Sequence, residues 1–198
     1  MIYPQIKTYL EKATSVEITD ARKAILNEIV EYIKSAEDPK LNFICTHNSR
    51  RSHLSQIWAQ TMAYHYGMKV KTFSGGTEAT AFNANAVAAI ESAGFDVRKG
   101  EGSNPRYEVK FSTDASSMIC FSKTYDDPIN PSSGFAAIMT CSEADAECPV
   151  VFGADARIKL FYEDPKVSDG SGNEAKVYGE RCSQIAAEMN YVFQQAKS

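Results

Sequence analysis

The chain has 198 residues, of which 43% are hydrophobic and 23% charged, and a net charge of −4, a balance that suits one well-buried domain with room for a small appendage. The negative balance argues against a nucleic-acid binder while leaving room for a local anion pocket. No apolar run approaches the ~18 residues of a membrane span, and Met1 to Asp20 lacks the basic start and apolar stretch of a signal peptide. Five cysteines without such a signal predict free thiols in a reducing cytoplasm, and the odd number argues against a complete disulfide framework.

Residues 1–40 read as helix: Thr19 or Asp20 can cap a segment in which Ala24, Ile25, Ile29, Val30 and Ile33 recur at helical spacing. Glu37-Asp38-Pro39 ends that pattern. Leu41 to Ile44 is a short apolar strand that runs into Cys45-Thr46-His47-Asn48-Ser49-Arg50-Arg51-Ser52. A helix follows, with Leu54, Ile57, Trp58, Met62 and His65 on one stripe and Gly67 as terminator. Val70 to Phe73 is a second strand closed by Gly75-Gly76, and Asn83 caps a second helix that Gly94 stops. Tyr107 to Phe111 and Met118 to Tyr125 alternate as a hairpin turning near Asp114. Phe135 to Met139 is a compact strand leading to Cys141, Ile158 to Tyr162 another, and Glu174 to Ala196 a last helix with Tyr178, Cys182, Ile185, Met189 and Val192 as its core stripe. Strands alternating with helices predict an α/β fold with a central, largely parallel sheet flanked by helices, and a helical extension over 1–40 preceding a catalytic domain over 41–198.

The loop at Cys45 sits where open α/β sheets bind ligands, after the carboxyl end of a strand and before a helix. The helix N-terminus would aim free N–H groups and a positive dipole end at it, Arg51 would add a bidentate fork, and the same field would favour the Cys45 thiolate. A thiolate held against an oxyanion is set up for nucleophilic attack. The bland alternative is a buried strand-end cysteine beside surface arginines.

Cys45 to Ser52 resembles the Cys-x5-Arg-Ser loop of the low-molecular-weight protein tyrosine phosphatases and their relatives, the thioredoxin-coupled arsenate reductases. Thr46, Asn48 and Ser49 look like the reductase version of that loop. The resemblance continues through Phe73 to Glu78 and Asn83 to Gly94, reappears at Thr140 to Pro149 and at Asp164-Pro165, and leaves out the N-terminal helices. It implies a phosphatase-like sheet, an oxyanion cradle formed by Thr46, His47, Asn48, Ser49, Arg50 and Arg51, Ser52 as hydrogen-bond partner of Cys45, and Asp164 as general acid.

Cys141-Ser142-Glu143-Ala144-Asp145-Ala146-Glu147-Cys148-Pro149 is similar to the redox segment of the reductases, which phosphatases do not need. The resemblance implies that Cys45 attacks arsenate, Cys141 attacks the Cys45 sulfur, and Cys148 then moves the disulfide to where thioredoxin reduces it. The acidic, small-residue stretch between them predicts a mobile loop. Two unrelated structural cysteines are the alternative; Cys-x6-Cys is too wide for a zinc knuckle, and neither a metal nor another cofactor is expected. Cys120 and Cys182 fall on apolar positions and read as core.

His47 stands where the family usually has Gly, Arg50 where a neutral residue is common, and Gln56 where many relatives have Glu, so a potassium ion is not carried over. The stretch Asn104 to Pro131 is longer and more strand-like than usual. Three functions follow: a thioredoxin-coupled arsenate reductase, a phosphotyrosine phosphatase whose later cysteines protect Cys45, and an oxyanion-binding or redox-sensing protein that docks a partner through its N-terminal helices.

Overall fold

A computed structural model describes every residue except Pro149. Two helices, α1 (Pro4–Ala13) and α2 (Asp20–Ser35), precede the first strand. Thr19 caps α2 by accepting from the N–H of Arg22, which satisfies one of the free donors of the first turn. Then come β1 (Lys40–Cys45), α3 (Arg51–His65), β2 (Lys71–Gly76) and α4 (Ala84–Ser92). Asn83 caps α4 through its side-chain oxygen, bonded by the N–H groups of Asn85 and Ala86. Three short strands, β3 (Asp96–Lys99), β4 (Tyr107–Lys110) and β5 (Met118–Cys120), form a separate antiparallel sheet. The chain finishes with β6 (Phe135–Met139), α5 (Ser142–Glu147), β7 (Ala154–Lys159), a short 3-10 turn over Pro165–Ser168, and α6 (Glu174–Lys197).

The main sheet has the order β2-β1-β6-β7, and all its pairings are parallel. Alternation along each strand gives it two chemically different faces. Leu41 and Phe43 of β1, Ala136 and Ile138 of β6, and Ile158 of β7 join the large core built with α1, α2, α3, α4 and α6. Ile44, Phe135, Ala137 and Met139 face a second, small cluster that contains Cys45, Cys141 and Ala144, with Cys148 packed against it. The α/β class with a parallel sheet is therefore as the strand–helix alternation predicts, and α1 and α2 bury their apolar stripes in the same core as the other helices. No helix among the described residues is long and apolar enough to cross a membrane.

Several local expectations shift. Gly75 and Gly76 do not close β2 but continue it, because the backbone of Tyr125 packs where a Cβ at Gly75 would stand. Thr124 meets Gly76 in an isolated parallel bridge, so the segment after β5 borders β2 rather than extending the hairpin. The expected strand at Ile158 to Tyr162 begins earlier, at Ala154; Leu160 and Tyr162 still donate to Met139 and Thr140. His65, placed on the buried stripe of α3, is exposed. β3 carries mostly exposed, charged residues and has no apolar pattern from which to recognise it.

Candidate active site

Cys45 is the last residue of β1 and is 4% exposed. The loop after it is held from outside by its carbonyls. The Cys45 and Thr46 oxygens accept from the N–H groups of Thr77 and Glu78, the His47 oxygen from the Ser122 hydroxyl, the Ser49 oxygen from the Asn83 N–H, and the Arg50 oxygen from the Leu54 N–H. Among the described residues, no backbone carbonyl accepts from the N–H groups of Thr46 to Arg50. Carbonyls pinned outward and N–H groups left over are the condition for a nest that receives a tetrahedral oxyanion. Arg50 begins α3 without a side-chain cap, so the free N–H groups of that helix add to the same field.

Asn48 organises the loop. It is fully buried with φ 44°, in the left-handed region, where Asn is one of few side-chain-bearing residues found. Its amide donates to the Ser52 hydroxyl at 2.8 Å, and its carbonyl accepts from the Lys123 N–H at 3.0 Å. Ser52 lies 3.1 Å from the Cys45 sulfur. The chain Lys123–Asn48–Ser52–Cys45 thus orients the hydroxyl at the thiol. His53, the next residue, is buried, stacks on Phe82 and lies 3.4 Å from the Ser74 hydroxyl. Burial, reinforced by the Lys123 charge, holds its pKa well below the usual histidine range, so its ring stays neutral.

Arg51 is buried and faces the segment after β7. Its guanidinium donates to the Tyr162 carbonyl at 3.0 Å and to Asp164 at 2.8 Å, with Glu143 at 4.0 Å. Asp164 also caps the 3-10 turn by accepting from the Lys166 N–H. If an oxyanion binds at Arg51, this carboxyl is within reach to pass it a proton. Arg50, which the resemblance counts among the cradle residues, turns its side chain away from the loop. Its side chain donates to the Tyr178 hydroxyl at 2.8 Å and to Asp169 at 3.2 Å, because α6 and the turn after Asp164 pack against it. His47 is half exposed, 3.6 Å from Glu78, and its side chain makes no hydrogen bond within the loop. Gln56 donates to the Thr72 carbonyl and accepts from Ser74.

Cys141 stands at the N-cap of α5, fully buried, with its sulfur 3.6 Å from the Thr46 hydroxyl. Burial pushes its thiol above the usual range, partly offset by the Ala144 N–H and by the Arg51 charge. Cys148 ends α5, half-buried. The stretch between them is a helix rather than the mobile loop its composition predicts. Ala144 and Ala146 favour helix, and Glu143 and Asp145 lie in the first turn, where the dipole favours acid. Arg157 then donates to the Asp145 and Cys148 carbonyls and pairs with the Asp145 carboxylate, which Lys159 also approaches at 3.2 Å. All five cysteines are free. Burial raises the Cys120 thiol to about 12 and also raises Cys182, which accepts from the Trp58 indole at 3.2 Å; both sit in the core, as their positions predict.

No family model matches the chain. Its sequence is 28% identical over 139 residues to an arsenate reductase from Bacillus licheniformis, covering 70% of this chain and 83% of the relative. It is 26% identical over 145 residues to an arsenate reductase from Bacillus subtilis, covering 73% and 87%. Its fold overlays a low-molecular-weight protein tyrosine phosphatase from T. tengcongensis with a TM-score of 0.53 at 15% identity, over 78% of this chain and 97% of that one. The chain is thus similar to arsenate reductases in sequence and shares the fold of a low-molecular-weight protein tyrosine phosphatase. The loop after Cys45, α5 and the turn at Asp164 meet at the carboxyl end of the central strands. The sequence placed Asn48 among the cradle residues but not as the loop's organiser; the signal was an Asn, tolerant of the left-handed region, three residues after Cys45. It also missed Lys123 and Glu143, which come to the site only through tertiary packing, and His53, which adjoins Ser52 in the chain but is buried by packing against Phe82.

Proposed function

We propose that this protein reduces arsenate to arsenite, with Cys45 as nucleophile, Cys141 and Cys148 as the relay and thioredoxin as reductant. One observation carries this over simple hydrolysis: Cys45, Cys141 and Cys148 belong to one small apolar cluster, and Thr46 of the nucleophile loop touches the Cys141 sulfur. The Cys45 thiolate displaces water from arsenate, forming an S–As(V) bond in the cradle of Thr46 to Arg51. Asp164 protonates the departing oxygen. The Cys141 thiolate attacks the Cys45 sulfur; the S–As bond breaks, its electron pair leaves with arsenic as arsenite, and two thiols have become one disulfide. Cys148 next attacks Cys141 and frees Cys45. Seven residues along a helix span roughly 10 Å, whereas disulfide partners need Cα atoms within about 7 Å. α5 therefore unwinds in that exchange, a small cost for a six-residue helix. Five free thiols suit a reducing compartment such as the cytoplasm.

The phosphatase alternative rests on Asp164 against Arg51, an acid placement that ester hydrolysis also uses. The deciding experiment couples arsenate to NADPH oxidation through thioredoxin and thioredoxin reductase, beside release of p-nitrophenol from its phosphate ester. The reductase predicts arsenate-dependent oxidation that disappears without thioredoxin and in Cys141→Ser, while ester hydrolysis in that variant is spared. Ester hydrolysis alone, unchanged in Cys141→Ser and Cys148→Ser, would make this a phosphatase.

A further inference from the structure

The N-terminal helices lie outside the resemblance to the superfamily, yet one of their side chains reaches the strand end that carries the site. Arg22, in the first turn of α2, places its guanidinium on three groups at once. It pairs with both carboxylate oxygens of Glu188 at 2.8 Å, donates to the Phe161 carbonyl at 2.9 Å, and lies over the Tyr162 ring, 4.7 Å from its centroid. Glu188, on α6, is 2% exposed and also accepts from the Tyr162 hydroxyl at 2.7 Å. Gln184 adds a donor to the same carboxylate at 2.9 Å. A buried acid with this many donors is fully satisfied, and the planar fork of arginine matches it in a way lysine does not.

The grip closes on residues 161–162, and the other side of that segment faces the oxyanion loop. The Tyr162 carbonyl accepts from Arg51, and Asp164, two residues on, accepts from the same guanidinium. Sheet pairing holds the Tyr162 N–H on Thr140 but does not fix the peptide plane beyond it. The ring, the hydroxyl and the preceding carbonyl are held by Arg22 and Glu188.

We infer that Arg22 is a positioning residue for the oxyanion site, acting through Glu188 and the Phe161-Tyr162 segment to orient Arg51 and Asp164. The N-terminal helices thereby belong to the catalytic unit. The inference rests on the Cys45 loop as the oxyanion site. Oriented positive charge strengthens anion binding only when its geometry is kept, and displacements near 1 Å cost up to about a hundredfold in rate.

Removing Arg22 alone would strand a buried carboxylate, whereas removing charge from both partners is often tolerated. The test therefore uses the full chain as Arg22→Met/Glu188→Gln, with Arg22→Lys as a second variant that keeps the charge but loses the fork. Inorganic phosphate affinity is measured by calorimetry, and kcat and KM are measured with arsenate and with p-nitrophenyl phosphate across pH. The double variant should bind phosphate about tenfold more weakly and show a similar loss in kcat/KM, mostly through KM, with an altered acidic limb of the pH profile; Arg22→Lys should fall between it and the parent. A merely structural role would lower thermal stability and leave affinity and KM in the folded protein unchanged. Phosphate affinity and KM within twofold of the parent in whichever variant folds would overturn the inference. A parent that hydrolyses the ester but ignores arsenate would sink the reductase assignment, and the phosphate comparison would still decide Arg22. A parent that binds no phosphate would overturn both.

Discussion

Asn48→Ala should be among the most damaging single changes in the loop after Cys45. The side chain is fully buried, and its removal leaves the Lys123 N–H without its acceptor and the Ser52 hydroxyl without its donor. An unsatisfied buried donor costs about 1–3 kcal/mol. The backbone at φ 44° adds its own penalty, because alanine in the left-handed region is disfavoured by about 1–2 kcal/mol. Together the loss is about 3 kcal/mol, a large part of the 5–15 kcal/mol typical of a domain of this kind. Asn48→Gly loses the same hydrogen bonds but not the backbone term, so it should retain about 1 kcal/mol more. Urea unfolding with a constant slope measures both variants. Initial rates of p-nitrophenyl phosphate hydrolysis in the folded proteins should fall in each, since Ser52 no longer has a fixed orientation toward Cys45. Equal stability of the two variants, within about 0.3 kcal/mol, would refute the strain argument. A loss below about 1 kcal/mol in both would show that these hydrogen bonds do not hold the loop.

A Cβ at Gly76 would overlap the carbonyl oxygens of Glu78 and Thr46 and stand 2.7 Å from the Asn48 nitrogen. Gly76→Ala should therefore displace the loop, lowering stability by about 1–3 kcal/mol and abolishing phosphate binding; calorimetric binding at parental affinity would contradict this. For His53 the sign follows from its lowered folded pKa: the unfolded chain takes the proton first, so stability is fully present above the ordinary histidine value and falls as pH drops below it. His53→Phe, which keeps the stacking on Phe82, should remove up to about 1.4 kcal/mol per pH unit of that fall. Parallel stability curves for parent and variant between about pH 6.5 and 5.5 would show that the histidine is not buried neutral.

Much of the fold could be read locally. Thr19 and Asn83 announce two helix starts, and each side chain accepts from the N–H groups of its first turn. Tyr178, Cys182, Ile185, Met189 and Val192 form one stripe of α6, and all five are buried. Where one-face periodicity was the only guide, it misplaced His65, the exposed last residue of α3. The acidic, small-residue stretch read as a loop is the helix α5, whose Asp145 and Cys148 carbonyls accept from Arg157 on a strand that follows it.

The sequence by itself determined a strand, a cysteine, a loop ending in Arg51-Ser52 and a helix, since caps, strand patterns and nucleophile spacing act over a few residues. Only the tertiary structure decided what surrounds them. Cys141 reaches Thr46 across 95 residues, Arg51 reaches Asp164 across 113, and Arg22 reaches Glu188 across 166. Such pairs leave no periodic or local trace, because their geometry depends on the order of the parallel strands and on which face of the sheet each helix covers.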